Sequence, residues 1–247
     1  MTSDIRVYQS TLALSHAVCD YFVDLADRAI TTRGRFTVAL SGGNTPIPIY
    51  EMLASRDYAE QINWNYVQVF WSDERCVPPD AHDSNYRMAR HLLLSRVQIP
   101  ISNLHRMKGE EPPETAAETY EANLREFFTR RLGIPRARFD LVMLGMGGDG
   151  HTASLFPGMD AVRETEKWVM PQYIEKLDSW RLTLTPAAIN AASNVCFVVT
   201  GTDKADTAKH VLHDPPDPNI FPAQAINPVN GKLRWYFDGG AGKGLKD

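Results

Sequence analysis

The chain has 247 residues, a formal net charge of −4 and a pI near 6.0, with 43% hydrophobic and 23% charged residues. That composition excludes disorder and leaves room for a sizeable core in one large α/β domain or two small ones. A mildly acidic chain has no electrostatic reason to bind nucleic acid or an anionic membrane, so any anionic ligand must be held by a local cluster of basic groups.

Cys19, Cys76 and Cys196 are widely spaced, and no CxxC pair or zinc-finger spacing occurs. Neither a disulfide framework nor a structural metal is expected. The N-terminus lacks a basic-then-apolar signal pattern, and no apolar run approaches the ~20 residues of a membrane span. A cytoplasmic protein is expected, as a monomer or small homo-oligomer.

Residues 12–30 carry apolar groups at Leu12, Ala17, Tyr21, Leu25 and Ala29, with Leu14, Val18, Phe22 and Ala26 beside them. This is the spacing of one helical face, with Asp20, Asp24, Asp27 and Arg28 left for solvent. That helix takes up the residues ahead of the first expected strand. Phe36-Thr37-Val38-Ala39-Leu40 reads as a buried strand running into Ser41-Gly42-Gly43-Asn44-Thr45-Pro46. A second strand, Val67 to Trp71, runs into Ser72-Asp73-Glu74-Arg75. Helices are expected from about Asn85 to Val97 and from Glu114 to Leu132, the latter opened by Pro112-Pro113.

A third strand, Phe139 to Leu144, leads into Gly145-Met146-Gly147-Gly148-Asp149-Gly150-His151. Leu182-Thr183-Leu184 and Val195 to Thr200 read as strands around a helical stretch from Pro186. A helix from Ala205 to His213 precedes a Pro-rich loop at 215–222, and a last strand is expected at Leu233 to Phe237. No repeat or linker is visible. The alternation predicts one α/β domain over 1–247, a three-layer, mostly parallel Rossmann-like sheet with helices on both faces. In such folds ligands bind beyond the carboxyl ends of the strands, which is where the three richest polar motifs fall.

The Ser41-to-Pro46 turn has the features of a phosphate cradle. Gly42 and Gly43 let backbone N–H groups approach an anion, Ser41, Asn44 and Thr45 add side-chain donors, and Pro46 suits the first turn of a helix. No Gly-Lys-Ser/Thr follows, so it is not a nucleotide triphosphate loop. Asp73, Glu74 and Arg75 gather two carboxylates and a guanidinium at one strand end, where a plain solvated turn is the competing reading. Four glycines in six residues cost backbone entropy and deliver His151 at a strand end, where histidine suits a base near neutral pH. Gly145, Gly147 and Gly150 also satisfy G-x-G-x-x-G, but Pro157 would interrupt the helix a dinucleotide site needs. Arg181 and Lys204 stand at strand ends; alone, each would be a surface cation.

Together these residues resemble the 6-phosphogluconolactonase family, and the likeness covers nearly the whole chain. It rests on Leu40 to Pro46, on Trp71-Ser72-Asp73-Glu74-Arg75, and on Gly148-Asp149-Gly150-His151-Thr152-Ala153-Ser154-Leu155-Phe156-Pro157-Gly158. Arg181-Leu182-Thr183-Leu184-Thr185, Gly201-x-x-Lys204-Ala205 and Pro222-Ala223-Gln224 add to it. The resemblance implies hydrolysis of 6-phospho-D-glucono-1,5-lactone to 6-phosphogluconate, the second step of the oxidative pentose phosphate pathway. It implies no metal and no organic cofactor, and a sugar-phosphate lactone as the small-molecule partner. By the same resemblance His151 is the general base, with Asp73 and Arg75 at the reacting end. Ser41, Gly42, Gly43, Asn44, Thr45, Gly148, Asp149, Arg181 and Lys204 would hold the substrate and its phosphate. The related glucosamine-6-phosphate deaminases look to a glutamate shortly after the histidine, where this chain has Phe156. The glycine-rich Asp238-Gly239-Gly240-Ala241 puts a C-terminal helix in doubt.

Overall fold

A computed structural model describes residues 4–245. Nine strands, β1 (Asp4–Tyr8), β2 (Phe36–Leu40), β3 (Val67–Trp71), β4 (Asp73–Arg75), β5 (Leu141–Leu144), β6 (Val169–Ile174), β7 (Ser179–Leu184), β8 (Asn194–Val199) and β9 (Lys232–Asp238), form two sheets. Six of them pair in parallel in the order β1-β9-β8-β5-β2-β3, and β4-β7-β6 make a small antiparallel sheet. The helices are α1 (Thr11–Arg33), α2 (Ile47–Leu53), α3 (Arg56–Ala59), α4 (Asn85–Ala89), α5 (Pro113–Arg125), α6 (Pro186–Ile189) and α7 (Ala205–His213).

The inner strands are continuous apolar runs because both faces of the sheet are covered. Side chains alternate between the two cores. Val38, Leu40, Val69, Trp71, Leu141, Met143, Cys196 and Tyr236 pack with α1 and α2 on one face. Ala39, Phe70, Val142, Leu144, Phe197, Trp235 and Phe237 pack with α5, α6 and α7 on the other. Trp235 stacks on Phe197 at 3.8 Å between centroids, and each such buried ring is worth about 1.5–3 kcal/mol of apolar burial.

The stripe of α1 that is buried is Leu14, Val18, Phe22, Ala26 and Ala29, whereas Leu12 is 63% exposed. Ser10 caps the helix through Ala13 N at 3.2 Å, and Gly34 ends it at φ 68°, its N–H donating to Ile30 O. The residues ahead of α1 are not all helix: Asp4–Tyr8 is an edge strand paired with β9. Its five residues are only partly buried, so it has no apolar run to announce it. β6, which contains Pro171, is equally invisible in the sequence. Leu182 to Leu184 belongs to the antiparallel sheet. Both long predicted helices form, but each changes type along its length: α4 continues as a π-helix over Arg90–Leu94 and α5 as a π-helix over Glu126–Arg131. Residues 239–244 form turns, anchored by Asp238 Oδ1 accepting from Ala241 N at 2.8 Å.

From β2 the chain steps to β3 on one side, and after β5 to β8 and β9 on the other. β2 and β5 are direct neighbours, with Val38 opposite Leu141. The order therefore reverses between them, opening a crevice at their carboxyl ends. The Ser41 turn and the His151 loop leave the sheet on either side of it.

Candidate active site

A cleft of about 460 Å³ occupies that crevice. Its lining includes Ser41, Gly42, Gly43, Asn44, Thr45, Asp73, Arg75, His151 and Lys204, drawn from four separate strand ends. Gly148, Asp149 and Arg181 are not lining residues; each stands against one that is.

The Ser41 turn is fixed from below. Tyr50, fully buried on α2, donates to Ser41 O at 2.8 Å and accepts from Ser41 N at 3.1 Å. Gly42 leaves room for a neighbour: a Cβ there would sit 1.9 Å from Asn85 Oδ1 and would have to displace that amide. Thr45 Oγ1 meets Thr200 Oγ1 at 3.2 Å across the cleft mouth.

The carboxylates that the sequence leaves undivided have three different surroundings. Glu74 is buried; its Oε1 accepts from Asn85 N at 2.7 Å and Arg75 N at 2.8 Å, and its Oε2 from Tyr86 N at 2.8 Å and Ser84 Oγ at 3.1 Å. It caps the start of α4, and burial raises its pKa above the usual glutamate value against those bonds. Asp73, 7% exposed, accepts from Ser154 Oγ at 2.8 Å and Asn85 Nδ2 at 3.2 Å while lining the cleft. Asp149 serves His151: Oδ1 lies 2.5 Å from Nδ1 of the ring. Oδ2 pairs with Lys176. The hydrogen bond from His151, then that from Lys176, hold the Asp149 carboxyl well below the usual range.

A carboxylate at Nδ1 requires the proton on that nitrogen, which leaves the lone pair on Nε2. Nε2 makes no hydrogen bond within the described residues, and His151 lines the cleft. Phe156 stacks on the imidazole at 4.3 Å and 23°. A Cβ on Gly147 would lie 2.0 Å from His151 Nδ1, so the loop can fold over the ring only as glycine. Ala153 holds φ 47°, unusual for a side-chain-bearing residue, in the turn that returns Ser154 to Asp73.

Arg75 and Arg181 face each other across β4 and β7. Arg75 donates to Asp83 O, and the Nε of each arginine is buried with no partner within the described residues. Burial first, then the neighbouring Arg75, lowers the Arg181 pKa below its usual value. Lys204 Nζ pairs with Asp203 at 2.9 Å and sits 3.4 Å from where a Cβ of Gly148 would be. No group of three His, Cys, Asp or Glu side chains able to hold a metal occurs among the described residues, and no helix there is long and apolar enough to cross a membrane.

Four contributors escaped the motif reading. Tyr50 and Asn85 act from helices beneath and beside the loops, and Thr200 directly follows β8. Lys176 sits in the β6–β7 turn, with no motif around it. Ser154 lay within the His151 run, where only its spacing from the glycines could have drawn notice.

The model of the glucosamine-6-phosphate isomerase/6-phosphogluconolactonase family matches residues 9–235. A 6-phosphogluconolactonase of Nostoc sp. is 40% identical over 246 residues, 99% of each chain. The structure of a 6-phosphogluconolactonase from Trypanosoma cruzi superposes with a TM-score of 0.87 at 28% identity, covering 100% of this chain and 98% of that one. A monomeric glucosamine-6-phosphate deaminase reaches a TM-score of 0.82 at 17% identity, covering 96% of this chain and 98% of that one, a likeness of fold alone. The chain belongs to the glucosamine-6-phosphate isomerase/6-phosphogluconolactonase family.

Proposed function

We propose that this protein hydrolyses 6-phospho-D-glucono-1,5-lactone to 6-phospho-D-gluconate, the second step of the oxidative pentose phosphate pathway, using water activated by His151. The observation that carries the reading is the Asp149–His151 pair, which leaves Nε2 unpartnered at the edge of a cleft rich in anion donors. Relatives with this name at high coverage support the substrate.

In this reading Nε2 takes a proton from water as the water oxygen bonds to the lactone carbonyl carbon. Asp149 steadies the imidazolium that forms. The carbonyl oxygen becomes an oxyanion countered by Arg75. The intermediate then collapses, the bond from that carbon to the ring oxygen breaks, and the ring oxygen leaves as a hydroxyl with the proton His151 returns. Asp73, held by Ser154 and Asn85, orients the sugar hydroxyls or the water. The Ser41-to-Thr45 turn and Lys204 hold the phosphate, with Gly148 giving Lys204 room, while Arg181 supports Arg75 from the neighbouring strand.

The deaminase alternative needs an acid shortly after the histidine to open a ring. Here Phe156 occupies that stretch and stacks on the imidazole, where it can exchange no proton. The test is acid release from freshly generated 6-phosphogluconolactone, corrected for spontaneous hydrolysis, beside ammonia release from glucosamine 6-phosphate. Fast lactone turnover with no ammonia is expected, and His151→Ala should lower turnover by about 10²- to 10⁴-fold. Activity should also survive exhaustive chelation. Ammonia release, or a His151→Ala variant near wild-type turnover, would overturn the reading.

A further inference from the structure

The turn between β6 and β7 reaches the far side of the Asp149 carboxylate. Lys176 lies there in a single 3₁₀ turn, Glu175–Leu177, ended by Asp178 at φ 44°. Its side chain is 54% exposed, and its ammonium pairs with Asp149 Oδ2, the oxygen that His151 Nδ1 leaves free. The same Nζ sits 4.8 Å over the ring of Phe156, the ring that stacks on His151. One cation therefore touches both groups that fix the imidazole, the carboxylate at its edge and the aromatic ring on its face. None of Lys176, Asp149 and Phe156 lines the cleft, so none competes with a ligand for space.

We propose that Lys176 is a positioning residue for His151, holding Asp149 and Phe156 in place around the imidazole and adding a positive charge beside the pair. The proposal rests on the reading of His151 as the base. Its electrostatic part has a definite sign. A cation held on the ring's carboxylate partner and over the aromatic ring stacked against it disfavours imidazolium, and a carboxylate that shares its charge with Lys176 favours imidazolium less than one devoted to Nδ1–H. Removing Lys176 undoes both effects in the same direction, so the ring should protonate at higher pH. The charged groups that line the cleft with His151 are Asp73, Arg75, Asp203 and Lys204, and Glu175 and Asp178 flank Lys176 in its own turn; all are retained when only residue 176 is changed.

The experiment is the kcat/KM profile from about pH 5 to 9, corrected for spontaneous lactone hydrolysis, for wild type, Lys176→Met, Lys176→Arg and His151→Ala. Lys176 is half exposed in a turn, and circular dichroism would confirm that each variant is folded. In Lys176→Met the acidic limb should move up by about half to one pH unit, the scale of one partly screened charge. Turnover near pH 7 should fall about 3- to 10-fold and recover above the displaced limb. Lys176→Arg should restore the wild-type limb. An unmoved limb in Lys176→Met overturns the proposal, whether activity is unchanged or reduced equally at all pH, because a merely structural contact gives that pattern. An unmoved limb with His151→Ala inactive leaves the base assignment standing and removes only the role of Lys176. An active His151→Ala variant removes both.

Discussion

Asp149 Oδ1 and His151 Nδ1 lie 2.5 Å apart, so that one loop supplies both an imidazole and the carboxylate that selects its tautomer. The fold-back of this loop is tight enough that Gly147 N donates to His151 O at 2.8 Å. Because Asp149 stays ionised far below neutral pH, it cannot itself titrate within an ordinary assay range. Asp149→Asn preserves shape but can offer an N–H to Nδ1 and so place the imidazole proton on Nε2. Turnover should fall about 10²- to 10⁴-fold with KM changed only a few-fold. Steady-state kinetics on the pure variant would decide it, and a loss under threefold would separate Asp149 from the chemistry.

Lys204 lines the cleft at the start of α7, away from Asp73 and Arg75 in sequence and on a different strand end. If it reads the phosphate, Lys204→Ala should weaken kcat/KM for the phosphorylated lactone by about 1.5–3 kcal/mol, the scale of a charge-assisted hydrogen bond. Unphosphorylated gluconolactone should be a poorer substrate by several orders of magnitude, with kcat lowered too, and be hardly affected by the change. The measurement is a two-by-two set of kcat/KM values. Equal losses on both lactones would end the assignment.

Gly42 and Asn85 are coupled by space. Gly42→Ala should destabilise the fold by about 1–3 kcal/mol, since its Cβ must displace the Asn85 amide that also bonds Asp73. Asn85→Ala relieves that clash, so the double variant should be more stable than the sum of the single losses indicates. Urea melts of the four proteins complete the cycle, and strict additivity would mean that the turn moves away instead.

His105 carries a pH dependence of stability separate from the site. Its ring stacks on Phe70 at 4.3 Å, and burial lowers its pKa from 6.5 to about 4. Between those values the unfolded chain binds a proton that the folded chain does not, so stability is lost as pH falls from about 6.5 towards 4. His105→Gln should flatten that part of a Tm-against-pH curve while leaving the fall below pH 4 in place. A wild-type slope in the variant would show that other groups carry it.

The sequence by itself determined the parallel sheet, its buried strands and the segments that carry polar chemistry. Continuous apolar runs such as Phe36 to Leu40 are forced by burial on both faces, and the glycine loops that follow them are forced by turns that a Cβ would block. These signals are local, and local signals survive in a sequence. The tertiary structure decided what depends on separate segments meeting. Edge strand β1 is set by pairing with β9, 230 residues away between Asp4 and Arg234, and nothing within its five residues requires it. The sequence does not separate the roles of Asp73, Glu74 and Asp149. Their surroundings divide them, because the partners Ser154, Asn85, Ser84 and Lys176 arrive from other segments of the chain. Lys176 reaches Asp149 from 27 residues along the chain, across a turn with no sequence pattern of its own. Hydrogen bonding and charge act over a few ångströms of space, and only the fold converts sequence separation into those distances.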